Sequence, residues 1–164
     1  MKPPPVYQCA QCPQPGKGPR PGTNAALTAG RPLGYRGSMP SQIAAIAIDA
    51  IRPKVVADFW CAVLGWRVVE EDGDIISIAP QDGTRPSVDV IAVPEGKTIK
   101  NRLHFDLRAD GVSTAEELER LLALGAQRKD VGQGPDVSWV VLGDPEGNEF
   151  CLLSRSVQDV EQEQ

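Results

Sequence analysis

The chain has 164 residues, enough for one domain or two very small ones. Five of its 17 basic residues (Lys2, Lys17, Arg20, Arg31, Arg36) lie in residues 1–40 without an acid among them, so residues 41–164 set 12 basic residues against all 22 acids. An acidic body argues against a nucleic-acid surface, which needs clustered Lys and Arg. No apolar run approaches the roughly 20 residues of a membrane-spanning helix.

Residues 1–40 hold nine prolines and six glycines with few branched or aromatic side chains. Such a composition buries too little apolar surface to offset the entropy of ordering, so a disordered basic tail is expected. Met1 to Pro5 lacks the apolar centre of a secretion signal, and the cytoplasm is the expected location. Cys9-Ala10-Gln11-Cys12 is a CxxC with no second pair or nearby histidine, too little for a tetrahedral zinc site. In this setting the four cysteines are expected as reduced thiols. Met39 stands directly before the first periodic segment and Gly37-Ser38 resembles a cloning scar, so residues 1–38 are open to being a mis-called start. The fold is therefore read from residue 41.

Residues 43–50 are apolar and β-branched at alternate positions, a strand pattern. Pro53 suits the first turn of a helix, on which Val56, Phe59, Trp60, Val63 and Leu64 make one apolar stripe. Gly65 ends that helix. Strands are expected at 66–70, 75–79 and 88–93, the first two joined by a hairpin turn at Glu71-Asp72-Gly73-Asp74. A strand at 103–109 alternates strictly, with Leu103, Phe105, Leu107 and Ala109 on one side and His104, Asp106 and Arg108 on the other. Ser113 with Glu116, or Thr114 with Glu117, makes a capping box for a second helix striped by Leu118, Leu121 and Leu122 and ending at Leu124-Gly125. Strands near 126–130 and 137–142, the tight turn Asp144-Pro145-Glu146-Gly147 and a last strand at 148–153 follow. The acidic end, 156–164, is expected to fray.

The second half repeats the first. Leu64-Gly65 and Leu124-Gly125 lie 60 residues apart, Ala45 falls 59 before His104, and Gly83 and Gly147 lie 64 apart. The unit strand–helix–strand–strand–strand thus occurs twice. The expected fold class is α+β: two tandem βαβββ modules, at about 41–95 and 100–155, whose curved sheets form an open cleft.

In this order the chain resembles the glyoxalase/bleomycin-resistance/dioxygenase group, the vicinal oxygen chelate superfamily, and in particular its glyoxalase-like domain proteins. The resemblance covers about residues 41–155 and is carried by Ala57-Asp58-Phe59-Trp60 through Trp66, by Lys100-Asn101-Arg102-Leu103-His104-Phe105-Asp106-Leu107, and by Asp144-Pro145-Glu146-Gly147 through Leu152. It implies a small-molecule ligand and a homodimer, but no demonstrated glyoxalase activity. Metal-dependent members hold a divalent cation with four side chains, one from the first and one from the last strand of each half. Carried over, those positions are Ala45, which has no donor atom; His104; Cys151, where the metal enzymes carry glutamate; and Asp89 or Ile91 in the first half. The set is incomplete, so the expectation is a small-molecule-binding protein lacking the divalent metal site, with no cofactor. If an ion binds, zinc on His104, Cys151 and Asp89 is the form expected.

Strand alternation puts Asp49, Asp89, His104, Asp106, Arg108, Glu149 and Cys151 on the cleft wall as ligand-binding residues. The alternative is a lyase or isomerase using His104 as general acid/base, or as zinc ligand with Cys151. His104 and Cys151 are the candidate catalytic residues, Cys151 as a nucleophile if His104 activates it. The structural reading of the same residues is a histidine that hydrogen-bonds its neighbours and a cysteine packed as a small hydrophobe. Lys97, Lys100 and Arg102 read either as a greeting for an anionic ligand or as a solvated charge run.

Overall fold

The computed structural model describes residues 42–134 and 136–163. The basic tail expected at 1–40 and its CxxC lie outside the described residues. Among these, the first module runs β1 (Ala45–Ala50), α1 (Pro53–Leu64), β2 (Arg67–Asp72), β3 (Ile75–Ala79) and β4 (Ser87–Ala92). The second runs β5 (Asp106–Leu107), α2 (Thr114–Ala123), β6 (Gln127–Arg128), β7 (Trp139–Gly143) and β8 (Glu149–Leu153), followed by α3 (Val157–Glu161). The two sheets have the same topology, β1-β4-β3-β2 and β5-β8-β7-β6, so the first strand of each module lies parallel to its last. These are the two tandem βαβββ modules the repeat implies. Among the described residues no helix is long and apolar enough to cross a membrane.

One face of each sheet meets the helices. Val88, Val90, Ile76 and Ile78 of the first sheet and Leu142, Phe150 and Leu152 of the second join Val56, Phe59, Trp60 and Leu121 of the helices in one core. Trp60 of α1 is its centre. Its ring lies 5.1 Å from both Phe105 and Phe150, edge to face, so a helix of the first module packs against the second. Arg120 of α2 draws the helices together by donating to the carbonyls of Ala62 and Val63 at the end of α1.

The start of α1 has no cap of its own: Arg52 makes no side-chain cap there. The second module supplies the missing acceptor. Glu146, in the turn before β8, accepts from the backbone N–H of Ile51 at 2.7 Å and of Arg52 at 2.8 Å, and from Arg52 Nε at 3.2 Å. Its carboxylate thus sits at the positive end of the helix. The same turn is braced by Asp144, only 1% exposed, which accepts from the N–H groups of Glu146 and Asn148, from Asn148 Nδ2 and from Trp60 Nε1.

One expectation is corrected. The strand expected at 103–109 is paired only at Asp106 and Leu107, and Leu103 is 86% exposed. Before it, Asn101 N–H donates to the Glu149 carboxylate instead of entering a ladder, and the backbone meets β8 only from Phe105, whose carbonyl accepts from Cys151 N–H. Near the acidic end, Val157–Glu161 form α3. Ser156 and Asp159 form a capping box, and Gln158 bonds Asp110 and the Gly111 N–H.

Because the cap of α1 comes from the other module, Glu146→Ala should lower unfolding free energy by about 1–2 kcal/mol. Urea denaturation followed by tryptophan fluorescence checks this. A change within error would show that Glu146 does not stabilise the helix.

Candidate metal centre and adjoining cavity

The parallel register of β5 on β8 sets Asp106 opposite Cys151. Phe150 and Leu152 turn into the core, so alternation places Cys151 on the helix-free face, where it is 7% exposed. His104 lies two residues before Asp106 and shares its side: His104 Nε2 is 3.3 Å from Asp106 Oδ1. One ligand atom from each of His104, Asp106 and Cys151 lies within 4.8 Å of the other two.

This cluster fits a divalent ion. Zinc bonds of about 2.0–2.3 Å at tetrahedral angles require ligand atoms roughly 3.3–3.8 Å apart. The His104–Asp106 separation already falls there, and side-chain rotation of the order of 1 Å brings in the sulfur. One nitrogen, one oxygen and one sulfur donor form a set that zinc accepts and magnesium does not. The expectation that the chain lacks a divalent metal site is therefore corrected by the His104, Asp106 and Cys151 cluster. The ligand count based on one residue per strand end missed it, because Asp106 on β5 is a second donor beside His104, two residues earlier in the chain.

Burial pushes the Cys151 thiol up to about 11, and the charge of Asp106 beside it adds to the rise, while Lys100 opposes it. Without an ion Cys151 is a thiol throughout the neutral range, which argues against a free thiolate nucleophile. Glu149, two residues earlier on the same face, is committed elsewhere. Its carboxylate accepts from Lys97 Nζ at 2.7 Å and from Asn101 N–H at 3.0 Å. Burial pushes its pKa up, but these donors outweigh burial and leave it below the usual carboxylate value. Lys97 is therefore neither a solvated charge nor free for an anion.

The remaining expected wall residues separate. Asp89 accepts from Ser77 Oγ at 2.8 Å and lies in register with Ala47, not with the cluster. Arg108 donates to the Arg155 carbonyl at 2.8 Å. Asp49, His104 and Glu149 line a cavity of about 740 Å³ between β1 and the connector at 93–103. The cavity also uses Asn101 and Asn148, linked amide to amide at 3.4 Å, which the sequence reading did not single out. No periodicity marks them, since both sit outside regular strands.

Residues 45–153 match the glyoxalase-like domain family. No curated protein matches the chain in sequence. Among solved structures, the chain is similar to the fosfomycin resistance protein FosX from Listeria monocytogenes complexed with Mn(II) and sulfate, at 15% identity over 75% of this chain and 99% of that one, with a TM-score of 0.55. The monoclinic form of FosX at pH 5.75 gives 13% identity, coverage of 77% and 100%, and a TM-score of 0.56. A glyoxalase/bleomycin resistance protein/dioxygenase family enzyme from Burkholderia phytofirmans PsJN gives 18%, 68% and 97%, and 0.50. At these identities the likeness is one of fold.

The raised thiol makes a chemical prediction. In metal-free protein at pH 8, Cys151 should react with iodoacetamide roughly tenfold more slowly than a thiol at the usual value of 9.0, because its much smaller thiolate fraction is only partly offset by the greater nucleophilicity of that thiolate. Asp106→Asn removes the neighbouring charge and should speed the reaction. Site-resolved mass spectrometry reads both, and rapid labelling of Cys151 in the unaltered protein would contradict the assignment.

Proposed function

Since the chain belongs to the glyoxalase-like domain family, within the vicinal oxygen chelate superfamily, we propose that it is a metal-dependent lyase or isomerase of a small molecule, with a zinc-class ion on His104, Asp106 and Cys151. The observation that carries this reading is the convergence of three different donor atoms on the helix-free face of one sheet, within 4.8 Å of one another. The relative FosX was crystallised with Mn(II), so the fold accommodates a divalent cation. The sulfur donor here moves the preference toward a softer ion.

A divalent ion held by His104, Asp106 and Cys151 would supply a Lewis acid able to polarise a substrate oxygen. The chain's own groups set the conditions. Cys151 must give up its proton to ligate, and His104 must offer an unprotonated Nε2, which leaves its proton on Nδ1. The Lys97–Glu149 ion pair fastens the connector to the start of β8 and so fixes the cavity wall beside His104. The Asn101 and Asn148 amides add hydrogen-bonding groups to that wall.

Purified protein equilibrated with zinc should retain about one ion per chain, measured by mass spectrometry of the metal. His104→Ala or Cys151→Ser should weaken binding by more than about a hundredfold, beyond the loss usual for outer partners of metal ligands. Asp89→Asn should not. Affinity should fall as pH falls, since the thiol proton competes with the ion, and a pH indicator should record a proton released on loading. Zinc bound equally well by His104→Ala would overturn the proposal.

A further inference from the structure

We infer that the cavity between β1 and the 93–103 connector receives the body of the substrate, that this body is apolar and carries no negative charge, and that its oxygen-bearing end turns toward His104. The last part rests on the metal reading above. The cavity and its selectivity stand on their own observations.

At about 740 Å³ the cavity has the size of a small-molecule site, and His104 belongs both to its wall and to the donor cluster. The wall is largely apolar: Ile46, Ile48 and Val93 line it, with Trp60 and Phe105 behind. Ile43, Ile99 and Leu103 at its edge are 67%, 78% and 86% exposed, three large apolar side chains left in water beside one opening. An apolar body lying across them removes that surface from water, which is the driving force for its entry.

The charges on the wall disfavour an anion. Lys97 and Glu149 neutralise each other, and both are largely buried. An anion that took Lys97 would leave the largely buried Glu149 carboxylate with the Asn101 N–H alone and without its countercharge, which costs stability. Asp49, Glu95 and Arg102 remain on the wall, all exposed, and they sum to a negative charge. The donor cluster gives no compensation: the Asp106 carboxylate and a Cys151 thiolate cancel the two positive charges of a divalent ion. The surrounding body, with 22 acids against 12 basic residues in 41–164, repels anions at longer range.

The test uses the full chain and two probes with one ring system. One is 6-propionyl-2-(dimethylamino)naphthalene, an uncharged ketone whose emission moves to the blue in apolar surroundings. The other is 6-(dimethylamino)-2-naphthoate, its carboxylate counterpart. The ketone should bind at least about tenfold more tightly than the carboxylate, given the buried Lys97–Glu149 pair. Ala47→Trp puts a large ring on an exposed position of the wall and should abolish the blue shift. Leu103→Ser, at a side chain with no core role, should weaken ketone binding severalfold, and serves if Ala47→Trp fails to fold. Zinc retention with no ketone binding overturns the cavity inference and leaves the metal reading intact. Ketone binding without zinc retention does the reverse. Equal affinity for ketone and carboxylate overturns the charge selectivity, and undiminished binding in folded Ala47→Trp and Leu103→Ser proteins overturns the location.

Discussion

The two carboxylates of the Asp144-Pro145-Glu146-Gly147 turn hold the remaining parts in place. Asp144, deep in the protein, closes the turn on the N–H groups of Glu146 and Asn148 and reaches Trp60 Nε1 at 3.4 Å. Glu146 reaches the first module at the start of α1. Bonds that backbone N–H groups donate to carboxylates are about twice as strong as neutral ones, and burial shields those of Asp144 from screening. The turn therefore fixes where β8 begins, and β8 carries both Glu149 and Cys151. An error of one residue there would exchange the faces of β8, sending Cys151 into the core and Phe150 outward.

Asp106 joins the cluster together, reaching His104 Nε2 at 3.3 Å on one side and the Cys151 thiol on the other. In the metal-free protein burial and Asp106 keep Cys151 protonated, and its thiol hydrogen-bonds the Asp106 carboxylate; a thiolate there would face that carboxylate's charge. A divalent ion reverses the sign of that contact, since both charges then face a common positive centre. The first module shows what the same strand positions look like without that chemistry. There Ala47 takes the place of Asp106 by the same 59-residue offset, and Asp89, its register partner, is satisfied by Ser77. A self-contained hydrogen bond leaves Asp89 nothing to offer an ion.

Much of this was legible in the residues. The doubled order of elements, the stripe of α1 and the end of that helix at Gly65 follow from local periodicity and glycine geometry, which tertiary contacts reinforce. The choice of Ser113 over Thr114 as the cap of α2 was left open by sequence and is settled by Glu116, which returns a bond to the Ser113 N–H. The shared face of Asp106 and Cys151 was also readable, since alternation fixes faces once strands are placed. Partner choice was not. Whether Cys151 stands near Asp89 or Asp106 depends on register across strands from distant parts of the chain, and no local pattern encodes it. The pairing of Lys97 with Glu149, 52 residues away, escaped for the same reason. It turned an apparently solvated lysine into part of a wall.

The donor cluster and the cavity differ in which parts of the fold they need, and this has a thermodynamic consequence. All three donors belong to the second module, so an ion there is linked first to the order of β5 and β8. The cavity takes one wall from β1 and another from the connector and the start of β8, so its occupant is linked to the docking of the modules on each other. Each stabilises whatever state completes its site, by an amount set by its own affinity. His104 is the one residue both require. It stands where the connector gives way to β5, on a stretch that Asn101 ties to the Glu149 side chain, so a change in that stretch reaches both sites at once. The shortness of β5 leaves His104 off the ladder, at the end of the connector that forms one wall of the cavity.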